Sequence, residues 1–228
     1  MTKELDIRTE TLNYLAAFAR PAFSLWGQGG KITEGLYDAL SPFGASLPTF
    51  QATPTLPNAS TALLTIGIGN SGTLKFAYDR LEFTFTDFTT DFFQSLPRLF
   101  SACADWLRAS VPKFQFATHD FGYFSHSYIK GTTTEEILAM INPQKFKSAG
   151  LALGHGAIFH HAIPETKWRT RLILDRSAQL PDALFLGLNL TLTRDSIEYD
   201  KFLVDGRAYL ASILEELDLS LPDFSQPQ

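Results

Sequence analysis

Residues 73 to 86 have the sequence Thr-Leu-Lys-Phe-Ala-Tyr-Asp-Arg-Leu-Glu-Phe-Thr-Phe-Thr, and this stretch decides the fold class. Large apolar side chains occupy every second position on both sides of the pair Asp79-Arg80. A period of two predicts strands with one buried and one solvated face, which is typical of an antiparallel sheet. Two neighbouring strands are therefore expected here.

The preceding residues, 61 to 69, form a largely apolar run that predicts one more strand. The run ends in Gly67-Ile68-Gly69-Asn70-Ser71-Gly72, which matches the spacing of a dinucleotide-binding loop. That loop requires a helix directly after it, because the pyrophosphate sits on the helix N-terminus. An alternating strand pattern follows instead, so we interpret these glycines as a turn.

Helical spacing of apolar residues predicts long helices over residues 90 to 109 and 196 to 217. A capping-box sequence predicts a short helix from Thr132 through Ile141. Further strands are predicted over residues 113–118, 121–129, 151–163, 167–174 and 183–193. Together these elements indicate an α+β fold: an antiparallel sheet of six to eight strands with the long helices packed on one face.

An internal similarity links residues 81–87 with residues 188–195, since each is a strand that leads through an acidic residue into a helix. A duplicated β-β-β-α unit, with halves at 61–130 and 150–217, explains this similarity. Junctions between strands and helices also resemble one another for local reasons. Both explanations stay open at this point.

The first 60 residues differ in character from the rest. Residues 9 to 20 show apolar spacing typical of a helix, and a second short helix is predicted from Thr33 to Leu40. Residues 44 to 60 contain three prolines and predict an extended linker. We therefore expect a helical N-terminal segment with a Pro-rich linker in residues 1–60, and an α+β domain in residues 61–228.

Composition excludes several classes of protein. The 228 residues carry a formal charge of −5, which argues against nucleic acid as the main partner. The single cysteine, Cys103, excludes an intrachain disulfide. The sequence contains no apolar run of about 18 residues, the length that a membrane-spanning helix needs. The charged first ten residues do not resemble a secretory signal. A cytoplasmic protein without a membrane partner is expected.

The histidine-rich segment around residue 160 is the main candidate for chemistry. His155 and His161 would share one face of a strand, and Glu165 follows them. A metal-dependent or histidine-based enzyme built on these residues together with His126 is one hypothesis. The adjacent residues His160 and His161 would point to opposite faces of a strand. We therefore predict no catalytic constellation and no cofactor.

A cationic stripe follows, with Lys167, Arg169 and Arg171 at alternate positions of a predicted strand. Such a stripe binds an anionic ligand or an acidic partner surface, or it is simply the polar outer face of a sheet. A third interpretation is that the acidic C-terminal end of the chain, residues 195 to 223, lies against this cationic stripe.

The 20 phenylalanines are concentrated, with eleven of them between Phe76 and Phe124. They predict an unusually aromatic core, or a binding groove where several are exposed together. The candidate ligand-binding residues are Phe88, Phe92, Phe121, His126, Trp168 and Arg169.

Three features resemble a known family: Leu74 to Phe85 leading into an aromatic-rich helix, the strand Phe114 to Ile129, and Phe202 to Leu210 after the last strand. Through these three features, residues 61 to 217 resemble a sporadically distributed, uncharacterised family of prokaryotic proteins of about 250 residues. The two helices and Pro-rich stretch before the sheet depart from that pattern. The resemblance implies a fold and no activity.

A non-catalytic binding or accessory protein is therefore our first functional hypothesis. It would hold a protein segment or a small apolar ligand in an apolar groove or along a sheet edge. A homodimer is a further alternative. The second hypothesis is the enzyme centred on residues 155–165.

Overall fold

The computed structural model describes residues 2–26, 29–52, 62–141, 156–164 and 166–222. These residues form ten strands and five α-helices, a mixed α+β fold with an extensive antiparallel sheet. The strands are β1 Lys3–Phe18, β2 Ala45–Ala52, β3 Leu63–Ile68, β4 Gly72–Ala77, β5 Arg80–Thr86, β6 Phe116–Ile129, β7 Ala157–Ile163, β8 Trp168–Arg176, β9 Leu184–Leu192 and β10 Leu219–Ser220. The helices are α1 Phe23–Trp26, α2 Gly29–Leu40, α3 Thr90–Ser110, α4 Thr134–Ile141 and α5 Tyr199–Glu216. Within these described ranges no helix is both long and apolar enough to cross a membrane.

The chain divides into two compact units. The first consists of Met1–Thr11, Gly122–Leu190 and Val204–Gln228, and the second of Leu12–Phe121 and Thr191–Leu203. The second unit runs through residues 60 and 61, and strands β1 and β6 each contribute residues to both units.

In the second unit the strand order is β2-β3-β4-β5-β1-β6. Antiparallel pairing joins β2 to β3, β3 to β4 and β4 to β5. Gly69 lies in the β3–β4 turn with a φ of 56°, a backbone conformation that glycine adopts without strain. The glycine-rich sequence is thus a hairpin turn, as predicted. Helix α3 packs its Phe100 ring against Tyr14 and Phe83 on the core face.

In the first unit the strand order is β1-β6-β9-β8-β7, and β10 pairs in parallel with the start of β1. Strand β8 alternates between buried and exposed residues from Trp168 to Leu172. The Tyr209 hydroxyl of α5 lies 3.0 Å from Thr170 Oγ1, so α5 covers the buried face of β8.

The helix predicted over residues 9 to 20 is wrong, because these residues belong mainly to strand β1. Leu12, Tyr14, Ala16 and Phe18 are buried at every second position. The apparent helical spacing arose because Leu15, on the other face of the strand, is also apolar. Packing of the alternate residues against the core overrides that local pattern.

The linker predicted over residues 44 to 60 is also partly wrong. Residues 45 to 52 form β2, which pairs with β3 through a register shift between Ala45 and Phe50. Pro48 lies within this irregular stretch, where a missing N–H is tolerated. Residues 53 to 61 lie outside the described residues.

The sheet therefore has more strands than the predicted six to eight, because β1, β2 and β10 were not expected. The two predicted strands 113–118 and 121–129 are one strand, β6. Helices occur at both expected places, but they are of moderate length, with 21 residues in α3 and 18 in α5. Helix α5 begins at Tyr199 and not at residue 196. Just before the helix, the Asp195 carboxylate accepts a hydrogen bond from the Phe116 N–H.

Candidate functional site

The three phenylalanines predicted to bind ligand lie in the second unit. Phe88 and Phe121 are buried, and Phe92 is half-buried with its ring 5.1 Å from that of Phe85. The ring of Phe121 packs edge-on against Phe202. Because these rings contact other core residues, they form no exposed aromatic groove.

The other three predicted ligand-binding residues lie in the first unit. His126 is half-buried on β6, and its Nδ1 lies 2.8 Å from Ser177 Oγ. Burial lowers the pKa of His126. Trp168 is buried on β8, whereas its neighbour Arg169 is exposed. Of these three residues, Arg169 is the one whose side chain is freely available to a partner.

The candidate metal ligands are only partly described, since His155 and Glu165 lie outside the described residues. His161 is exposed on β7, and its Nδ1 lies 3.2 Å from the hydroxyl of Tyr209. Among the residues that the structure describes, no group of three or more histidine, cysteine, aspartate or glutamate side chains could hold a metal ion.

Strand β7 is the last strand on its side of the first unit, so one of its two long edges faces no described strand. Its other edge pairs with β8 in unbroken antiparallel register from Ala157 opposite Leu174 to Ile163 opposite Trp168. Every residue of β7 is half-buried or exposed, and Ile158 is 54% exposed. An edge of this kind presents alternate backbone N–H and C=O groups to solvent.

The sequence of β7 contains none of the devices that usually protect an edge strand. Lysine, proline, a bulge or an inward-pointing charge each discourage pairing with another chain. Strand β7 has neither lysine nor proline, carries no carboxylate, and shows no register shift against β8. In contrast, β2 at the margin of the second unit contains Pro48 and an irregular register.

Strand β8 brings two cations to the exposed face beside this edge. Arg169 and Arg171 are exposed, and neither forms an ion pair with any residue in the described part of the chain. Their neighbour Thr170 points to the opposite face, where it bonds to Tyr209 of α5. The acidic C-terminal helix therefore covers the other face of β8 and does not neutralise the arginines.

A buried polar cluster in the second unit was not predicted as a site. The Tyr14 hydroxyl lies 2.6 Å from Nδ1 of His119 and 3.3 Å from the hydroxyl of Tyr199. All three side chains are buried. Nε2 of His119 has no hydrogen-bond partner within the described ranges. Sequence gives no signal for this cluster, because Tyr14 is 105 residues from His119 and 185 from Tyr199.

Burial determines the protonation of this cluster. It lowers the pKa of His119 to about 4, although the backbone of Asp195 acts in the opposite direction. Burial also raises the pKa of Tyr14 well above its ordinary value, and raises that of Tyr199 to about 12. At neutral pH all three groups are therefore uncharged. Since none is exposed, the cluster organises the core and offers no surface for a ligand.

Neither the models of known protein families nor the sequences of curated proteins match this chain.

Proposed function

We propose that this protein is a non-catalytic binding protein that holds an extended segment of a partner protein along the exposed edge of β7. The observation that carries the proposal is the absence of any protective device on that strand among its described residues. Backbone N–H and C=O groups along such an edge pair with an extended peptide, which joins the sheet as a further strand.

Side chains of β7 supply contact area in addition to the backbone. Ile158, Phe159 and Ile163 are apolar, and Ile158 is largely exposed. An added strand lies about 4.8 Å from its neighbour, so its side chains contact those on both faces of β7. Backbone pairing provides affinity, and these side-chain contacts provide selectivity.

Amide hydrogen exchange with a model peptide tests the proposal. The probe is a ten-residue peptide with capped ends in which valine and threonine alternate with glutamine. We expect it to slow exchange at alternate amides of Ala157–Ile163, since only those N–H groups point away from β8. Exchange that is already slow across all of β7 in the free protein would contradict the proposal, as would a peptide that protects other residues only.

Two lysine substitutions provide a matched pair of variants. Ile158→Lys places a charge on the edge and should abolish the protection. Val204→Lys makes the same change at a 65% exposed position of α5 and should leave it intact. Equal loss of protection in both variants would indicate a general effect of added charge and would count against a site on β7.

We also propose that β3-β4-β5-α3 and β7-β8-β9-α5 are duplicated β-β-β-α units, in the halves 61–130 and 150–217. The identical order of elements in β3-β4-β5-α3 and β7-β8-β9-α5 supports this. Comparison of the two segments across related sequences tests it. A similarity no greater than between shuffled segments would contradict the duplication.

A further inference from the structure

From the residues beside the β7 edge we infer that the segment held there is acidic, with carboxylates at two alternate positions. This inference rests on the proposed strand addition and specifies its partner. It starts from Arg169 and Arg171, which are exposed on one face of β8 without an ion-pair partner in the described part of the chain.

The register of the β7–β8 pair places these cations within reach of an added strand. Arg171 is opposite His160, and Arg169 is opposite Ala162. A strand added beyond β7 lies two strand spacings, roughly 10 Å, from β8. An arginine and a glutamate side chain span this distance together, and the small side chain of Ala162 leaves the path of Arg169 open.

The face of the sheet that carries Arg169 and Arg171 also carries the apolar side chain of Ile158, two positions from His160 on β7. Ile158, His160 and Ala162 share this face because side chains alternate along a strand. The only carboxylate of β8 on the face, Asp175, is four residues from Arg171, about 13 Å along the strand. The expected segment therefore carries an apolar residue opposite Ile158 and acidic residues at the two neighbouring alternate positions that face His160 and Ala162.

A second copy of the chain fits this edge poorly. Pairing β7 with β7 of another copy would bring a strand without carboxylates to the site, and would place the arginines of both copies on one face. The arginines of the two copies would then lie three strand spacings apart, roughly 14 Å, with no carboxylate from either β7 between them. Nucleic acid is also disfavoured, because the chain carries a formal charge of −5.

Fluorescence anisotropy with three labelled peptides tests the inference. In each peptide one face carries threonine, and the other carries two variable positions flanked by valine. The variable residues are glutamate in the first peptide, glutamine in the second and lysine in the third. We expect the glutamate peptide to bind most tightly and to weaken as KCl is added, since salt screens exposed charges. Tighter binding of the lysine peptide, or of an oligo-thymidine strand, would overturn the inference.

The double variant R169Q/R171Q identifies the cations responsible. We expect it to weaken the glutamate peptide about tenfold, as two exposed ion pairs of about 0.7 kcal/mol each would give. The variant K31Q/K201Q removes the same charge from two exposed helical positions and should bind as the unmodified protein does. Equal weakening in both double variants would overturn the inference.

Failure of the inference can be distinguished from failure of strand addition. If the glutamine and glutamate peptides protect β7 equally and R169Q/R171Q binds both as before, the partner is not selected by charge, although strand addition stands. If no peptide protects β7, both proposals are wrong. A chain that elutes as a dimer through β7, and dissociates in Ile158→Lys, would assign the edge to a second copy and overturn the inference.

Discussion

The hydroxyl of Tyr14 lies 2.6 Å from Nδ1 of His119, in the core of the second unit, and the rings of the two residues are stacked at 6.0 Å. A neutral imidazole completes this hydrogen bond. A protonated ring would place a charge in surroundings that burial has made apolar. Folding therefore depends on the protonation of His119.

Acid should destabilise the protein through His119. Its pKa is lowered from 6.5 to about 4 in the folded chain, so the unfolded chain binds the proton first as pH falls. The contribution of His119 to the free energy of unfolding is then fully present above about pH 6.5. It is lost between pH 6.5 and pH 4, and it amounts to about 3 kcal/mol. Urea titrations across this range measure the decline, and His119→Gln should remove this part of it. An equal decline in both proteins would contradict the assignment to His119.

Removing the Tyr14 hydroxyl should cost about 1–3 kcal/mol of unfolding free energy, because His119 loses its partner inside the core. Tyr199→Phe should cost less, since its hydroxyl is 3.3 Å from that of Tyr14 and forms the weaker bond. Tyr37→Phe is the control, with the same atom removed from a half-buried position on α2. Urea unfolding measures all three variants. Equal stability of Tyr14→Phe and Tyr37→Phe would show that the cluster does not stabilise the fold.

The sequence predicted those elements whose burial follows a local period. Strand β5 alternates strictly, β4 alternates from Gly72 to Phe76, and helix α4 begins with a capping box that the structure reproduces. Strand β1 was missed because Leu12, Leu15 and Ala16 also fit a helix, and only partners far along the chain settle the choice. The Tyr14–His119 contact and the position of β7 at an edge depend on strand order. No local pattern encodes that order.

The capping box of α4 predicts a stability effect in the first unit. The Thr133 hydroxyl accepts a hydrogen bond from the Glu136 N–H at 3.2 Å, and the Glu136 carboxylate accepts one from the Thr133 N–H at 3.3 Å. Thr133→Ala should therefore lower the unfolding free energy by about 1 kcal/mol. Met140→Ala, at an exposed position of the same helix, should have little effect. A loss in Met140→Ala as large as in Thr133→Ala would argue against the cap.

Two glycine-to-alanine substitutions should change stability in opposite directions. Gly30 is exposed in the first turn of α2, and a Cβ there would meet nothing within 4 Å. Gly30→Ala should raise the unfolding free energy by about 0.5–1 kcal/mol, because alanine favours the helix. At Gly72 a Cβ would lie 2.7 Å from the Ile68 carbonyl oxygen and from the Phe85 ring, so Gly72→Ala should destabilise. Thermal unfolding of both variants checks the signs, and a shift in the same direction would contradict this packing.

The thiol of Cys103 should report on opening of the second unit. Its side chain is fully buried on α3, and burial raises its pKa to about 12. Because the thiolate is the reactive form, an aromatic disulfide reagent should leave the native protein unmodified at pH 8 and label it once urea unfolds the chain. Cys103→Ala, which should show no labelling under either condition, is the control. Rapid labelling of the native protein would mean that the core around Tyr14 and His119 opens readily. The pH dependence assigned to His119 would then be weaker, since the ring would take up its proton in the open state.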